Sequence, residues 1–219
     1  MDSASCYTIV SYIYKNIQQK QTMDKPALTS QSIHPIIKKR WSPRAFSSKP
    51  ITKDQLLRIF EAARWSPSSF NEQPWRFIAG VKGHESWDKL YECMVEFNQK
   101  WAGKAPILLL SVGKKTSTNN GKPNGVYQYD VGQSMAYITF QVMEEGLRAH
   151  QMGGFSKDKA RELFSIPDDY EPIAMMAVGY QDEPDTLSPD FEDMERAPRQ
   201  RKALDELVFT GRFGKAMFT

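Results

Sequence analysis

Cysteine is scarce in this chain of 219 residues, and that scarcity removes several classes of protein at once. Only Cys6 and Cys93 are present, with no CxxC pair and no paired framework. This excludes a disulfide scaffold and suits a reducing cytoplasm. The three histidines, His34, His84 and His150, lie far apart and match no metal-ligand spacing, so no metal site is expected. No run approaches the ~20 apolar residues of a membrane span, so no membrane partner is expected. Neither sign of charge dominates: 29 Lys and Arg against 26 Asp and Glu leave a net +3, too little to argue for nucleic acid. The one tight basic cluster, Lys38-Lys39-Arg40, reads at its two lysines as a solvated helix end. No Ser/His/Asp or Cys/His arrangement is visible, and no G-x-G-x-x-G follows a strand. Any dinucleotide must therefore bind without a Rossmann domain of its own.

Residues 7–17 are semi-apolar but lack a basic leader and a small-residue cleavage site, so no secretory signal is read. Met23-Asp24-Lys25-Pro26 reads as a second start. Residues 1–30 are accordingly an N-terminal extension, loose or carrying an added helix, and residues 31–219 form one domain. At 40% hydrophobic, the chain has enough apolar side chain for a substantial core.

Pro50-Ile51-Thr52-Lys53-Asp54-Gln55 is a strong helix start: Thr52 caps, Gln55 at the third position completes a capping box, and Ile51 can staple onto Leu56. Leu56, Ile59, Phe60 and Ala63 then form one stripe, and Ser66-Pro67 ends the helix because the residue before proline leaves the α region. Residues 76–81 and 173–180 read as strands, and 106–112 as a strand buried on both faces. The spacing of Val131, Met135, Ile138 and Val142 predicts the longest helix over 130–147. From Leu147 the chain enters another strand and a glycine turn before Phe155, and Ser156 caps a short helix to Phe164. The polar stretch 116–127 is the best candidate for a mobile loop, and residues 182–200 read as an extended connector. Helices flanking a few strands argue for a single sheet sandwiched by helices.

Two clauses stand out, Arg40-Trp41-Ser42-Pro43-Arg44-Ala45-Phe46 and Ser66-Pro67-Ser68-Ser69-Phe70-Asn71-Glu72-Gln73-Pro74-Trp75. Two guanidinium forks and a hydroxyl within five residues suit a phosphate, which they can hold bidentately. Taken alone, the heptapeptide could equally be a basic surface turn. Arg199-Gln200-Arg201, just before the apolar 203–208 stretch, offers a second arginine pair for the same anion, and several cations make burial of a dianion feasible. The Ser/Asn/Gln-rich second clause suits the edge of a flat heterocycle, although a capped loop with a packed Trp75 would look similar. Asn98 offers donor and acceptor together, matching a pyrimidine edge, or it faces water at a helix end. Gly153-Gly154 before a capped helix lets backbone N–H groups approach a ring closely; a lone glycine pair is otherwise just a tight turn.

Taken in order from Ile33 to Phe213, these five segments resemble the nitroreductase family of FMN-dependent oxidoreductases. The resemblance implies an α+β sandwich with a mixed, mostly antiparallel sheet flanked by helices, and a homodimer with two FMN sites at its interface. Arg40, Trp41, Ser42 and Arg44 would meet the FMN phosphate with Arg199 and Arg201, Arg201 being the firmer match of that pair. Pro67, Ser68, Ser69 and Asn71 would line the flavin held mainly by the other subunit. Asn98 would be a third flavin contact, and Gly153 and Gly154 would approach the N5 and O4 region. Some family members carry Glu where Gly153 stands.

The chemistry would then belong to the flavin, with NAD(P)H as transient hydride donor and a nitroarene, quinone or similar electrophile as acceptor, in ping-pong order. No side-chain acid or base is implied; Arg44 would stabilise charge developing at N1 and O2 of the ring. The alternatives are another flavin reaction on the same fold (dehalogenation, ene reduction, dehydrogenation or flavin fragmentation) or a non-enzymatic FMN-binding or basic interaction protein.

Overall fold

A computed structural model describes residues 23–218. The expectations placed on residues 1–22 lie outside the described residues.

Four strands, β1 (Trp75–Val81), β2 (Ile107–Lys114), β3 (Arg148–Met152) and β4 (Tyr170–Gly179), pair in the order β1-β2-β4-β3. Every neighbouring pair is antiparallel. Ile107 to Gly113 is buried throughout, which is why this central strand reads as an unbroken apolar run and not as an alternation. Its side chains still alternate between two cores. Ile107 and Leu109 pack with Ile59, Ala63, Met135 and Ile138 on one face; Leu108, Leu110 and Val112 pack with Trp87, Leu90, Trp101 and Ala160 on the other. The result is the expected α+β sandwich. At Ser111 the register of β2 against β4 slips, and the buried hydroxyl fills the gap by donating to the Ala174 carbonyl and accepting from the Ala174 amide.

Among the described residues, seven α-helices accompany the sheet: α1 (Pro35–Lys39), α2 (Lys53–Arg64), α3 (Glu85–Cys93), α4 (Glu96–Ala102), α5 (Tyr127–Glu144), α6 (Lys157–Phe164) and α7 (Pro189–Arg196). The capping box at Thr52 forms as the sequence dictates, with reciprocal bonds between Thr52 and Gln55. The long helix starts a turn earlier than expected, because Asn124 Oδ1 accepts from the Val126 amide and turns the chain into it. It ends before Leu147, since Gly146 adopts a positive φ of 73°. Ser156 caps α6 by accepting from the Lys159 amide.

One element overturns the sequence reading. Residues 182–200 are not an extended connector: a short turn at Pro184–Thr186 leads into the eight-residue helix α7. Ser188 before proline at the first helical position, with Asp190 and Glu192 in the first turn, is a helix start that the surrounding charge and proline obscured. Phe191 and Glu195, four residues apart, are its buried side chains and face one way. That face meets the chain from Arg44 to Phe46, which is laid against residues 180–182 by bonds from Ser47 to the Tyr180 carbonyl and from Asp182 to the Ala45 carbonyl.

Candidate functional site

The loop Arg40–Ala45 is held from two sides. From α7, Glu195 turns its buried carboxylate onto the backbone: both oxygens lie 2.9 Å from the Arg44 amide, and Oε1 lies 3.1 Å from that of Ala45. Burial pushes the Glu195 carboxyl up from its ordinary range, while the two amides pull the other way. From β3, His150 Nδ1 donates to the Pro43 carbonyl at 2.9 Å, its ring lying against Trp101. Burial drives the His150 pKa down to about 4. Both anchors grip main chain and make no bond to the side chains of Arg40, Ser42 or Arg44.

Those side chains gather with the C-terminal arginines. A pocket of about 310 Å³ is lined by Trp41, Ser42, Arg44, Arg199, Arg201 and Lys25, among others. Arg40 borders the group, donating to Ser42 Oγ at 3.1 Å. Burial lowers the Arg40 pKa, and repulsion from Arg199 and Arg201 lowers it further; Arg199 is lowered by burial and then by Arg201. No carboxylate lines this pocket among the described residues. The buried Arg44 Nε and Trp41 Nε1 have no hydrogen-bond partner among them. Mutually repelling cations with two orphaned N–H donors fit a multiply charged anion such as a phosphate.

The glycine turn follows β3, three residues beyond His150. Val95 donates its amide to the Gly154 carbonyl at 3.1 Å, and Asn98 Nδ2 donates to the same oxygen at 3.0 Å. Asn98 is buried and shapes the turn, instead of facing water at a helix end. The two glycines are not equivalent. A Cβ on Gly154 would lie 2.9 Å from Asn98 Nδ2 and from Val95 Cγ2, whereas a Cβ on Gly153 would meet nothing within 4 Å. Gly154 is glycine for packing; Gly153 presents an open face.

The second clause is a strained loop. Phe70, Asn71 and Gln73 all have positive φ, at 51°, 55° and 47°. Such conformations cost non-glycine residues of order 1–3 kcal/mol each and persist only when the surroundings fix them. The buried Asp130 of α5 accepts from the Ser69 amide at 3.2 Å, and Ser68 Oγ accepts from the Gln73 amide at 3.0 Å. Glu72 reaches across to the 116–127 stretch, accepting from the Ser117 hydroxyl and from the Thr118 amide at 2.7 Å. The stretch expected to be mobile is therefore tied at its start. Ser69, Phe70 and Glu72 line a cavity of about 480 Å³ with Ser117, Asn119, Asn120 and the stretch from Lys122 to Val126, and Phe70 is 91% exposed.

Arg40, Trp41, Ser42, Arg44, Arg199 and Arg201 thus come together, as do Asn98, Gly153 and Gly154. Pro67, Ser68, Ser69 and Asn71 belong to the strained loop, whose cavity shares no lining residue with the arginine pocket. Sequence reasoning missed Lys25, Glu195, His150 and Asp130. Only Glu195 left a local signal, the helix start at Ser188-Pro189 that would have put it on a structured face.

Comparison with known proteins adds a lineage to this geometry. Residues 37–180 match the model of the nitroreductase family. A solved oxidoreductase containing FMN is 35% identical, covering 89% of this chain and 100% of its own, with a TM-score of 0.83. A nitroreductase family protein from Clostridium difficile 630 is 27% identical, covering 83% and 99%, with a TM-score of 0.64. An uncharacterized 15.4 kDa protein in the ask 5' region of Mycolicibacterium smegmatis is 33% identical over 152 residues, which is 65% of this chain and 99% of that protein.

Proposed function

The chain belongs to the nitroreductase family, and from that premise we propose that it is an FMN-dependent oxidoreductase that takes hydride from NAD(P)H and reduces nitroaromatic, quinone or similar electrophiles by a ping-pong mechanism. The observation that carries the reading is the arginine pocket, whose cations face one another with no carboxylate lining it among the described residues. FMN, when bound, supplies a two-electron carrier that one substrate loads and the next unloads.

The chain's own residues bind and orient. Arg40, Arg44, Arg199 and Arg201 grip the phosphate, and the unpartnered Arg44 Nε is a free donor for it. Glu195 and His150 keep the loop that carries two of those arginines from yielding when a dianion pulls on it. Gly153, with nothing within 4 Å of where its Cβ would be, lets a ring lie against the backbone of the turn, and Asn98 holds that turn through the Gly154 carbonyl. Pro67, Ser68, Ser69 and Asn71 serve the site of a second subunit, which is why one chain separates them from the arginine pocket.

A homodimer is supported by apolar side chains left outside the core. Leu57, Tyr129, Tyr137 and Phe140 on α2 and α5 are exposed, as are Leu207, Phe213 and Phe218 in the C-terminal stretch. Patches of this kind mark interaction surfaces. Among the described residues no helix is long and apolar enough to cross a membrane, and the free, buried thiol of Cys93 suits a cytoplasmic location.

The test is what the purified protein carries. We expect about one FMN per chain, released by acid or denaturant because no cysteine, histidine or tyrosine that could attach it covalently lines the pocket among the described residues. FAD in its place, or no flavin even after soaking with FMN, overturns the reading.

A further inference from the structure

We propose that Lys25 is a further ligand of the flavin phosphate, brought to the pocket by a segment that lies upstream of the family-matched region. The inference rests on the FMN reading and extends it to a residue that the sequence placed in an N-terminal extension.

The segment is fixed where it needs to be. Gln181 Nε2 donates to the Met23 carbonyl at 2.7 Å, and the Ala27 amide donates to the Lys38 carbonyl at 2.8 Å. Between these points Arg199, itself lining the pocket, donates to the Lys25 carbonyl at 2.7 Å. Lys25 therefore enters the pocket on a backbone tied at either end and held at the residue itself by one of the phosphate arginines.

Its ammonium is placed with the same economy. Nζ lies 2.6 Å from the Glu195 carbonyl and 2.5 Å from the Ala197 carbonyl, at the end of α7, where carbonyls lack helical partners. An ammonium has three protons, so one remains after those two bonds. Nζ also lies 4.7 Å from the centre of the Trp41 ring, which forms part of the pocket lining. Two features argue that the remaining proton is meant for an anion. The carboxylate that acts on the ammonium, that of Glu195, is turned onto the Arg44 and Ala45 amides and does not line the pocket. The other charged groups in the lining, Arg44, Arg199 and Arg201, are all cations. Burial lowers the Lys25 pKa, and Arg199 and Arg44 lower it further, with Glu195 opposing; an arriving dianion would reverse the repulsion.

Riboflavin, which has the ring of FMN without its phosphate, separates this role from a structural one. The full-length apoprotein would be titrated with FMN and with riboflavin, following flavin fluorescence, for the wild type, Lys25→Gln and Lys25→Met. Gln keeps N–H donors for the two helix-end carbonyls and removes the charge; Met removes both. Both variants should bind FMN about tenfold more weakly while their riboflavin dissociation constants stay within about twofold. Unchanged FMN affinity in Lys25→Gln overturns the inference. Parallel loss of FMN and riboflavin, including loss through failure to fold, also overturns it by assigning Lys25 to the scaffold. A wild type that does not prefer FMN to riboflavin refutes the FMN reading itself, a result distinct from either of the others.

Discussion

Replacing His150 by asparagine should remove a block of acid sensitivity from the fold. The Pro43 carbonyl can only accept, so the His150 nitrogen 2.9 Å from it must carry a proton, which fixes the neutral tautomer. Burial holds the folded-state pKa at about 4; Arg44 and Arg40 add repulsion, and the backbone bonds to Pro43 and Ser42 oppose it. The unfolded chain titrates near 6.5. A base whose folded pKa is depressed contributes its full stability above the unfolded value. That stability is lost as pH falls from about 6.5 through about 4, because only the unfolded chain takes up the proton there. At about 1.4 kcal/mol per pH decade, the interval amounts to about 3 kcal/mol. For a domain of this size that is roughly 6–12 °C in Tm. Asn keeps an N–H for Pro43 and cannot titrate. Urea unfolding of the full-length apoprotein and the variant, from pH 7.5 down to pH 4, isolates the effect because all other groups cancel in the difference. The wild type should lose about 3 kcal/mol relative to His150→Asn across the window. A difference that stays constant with pH would refute the buried, neutral His150.

Two further outcomes follow from the site. Arg201→Ala should weaken FMN binding about tenfold, and Lys202→Ala by less than about twofold, since Arg201 lines the pocket and Lys202 does not; equal dissociation constants would remove Arg201 from the phosphate site. Gly154→Ala should destabilise the fold by about 1–3 kcal/mol through the clash with Asn98 and Val95, while Gly153→Ala stays within about 0.5 kcal/mol; equal losses in denaturant unfolding would contradict the asymmetry of the turn.

Legibility of the fold followed the range of the interaction. The capping box of α2 is complete within four residues, so Thr52 and Gln55 announce it without help from the rest of the chain. The strand β2 is announced by its burial on both faces, which leaves no polar alternation to confuse it. Helix α7 went unread because its eight residues bury only two side chains, one of them a glutamate, and the rest are charged or solvated. Burial of a carboxylate is costly without partners, so nothing in Pro189–Arg196 predicts it locally. The partners are amides about 150 residues away.

The site divides along the same line. Arginines, asparagine and a glycine pair were legible because their chemistry is carried by residue type. The residues that hold them in place were not, because the side chains of Lys25, His150 and Glu195 act through partners 107 to 172 positions distant. Glu195 shows what that conceals. Read from composition, a glutamate beside a cluster of arginines is their counter-ion, and a neutralised cluster binds no further anion. The structure spends this carboxylate on the Arg44 and Ala45 amides. It anchors the loop through amides, and no carboxylate among the described residues lines the pocket, so the Glu195 charge offsets only part of that of Lys25 and Arg44. The same residue offers its own backbone carbonyl to Lys25, so one buried glutamate fixes an arginine segment through its side chain and adds a lysine through its main chain. The scaffold of the pocket is satisfied by main-chain bonds that do not involve a ligand, and this is why removing a cation should cost affinity for a phosphate while leaving the binding of a neutral ring nearly untouched.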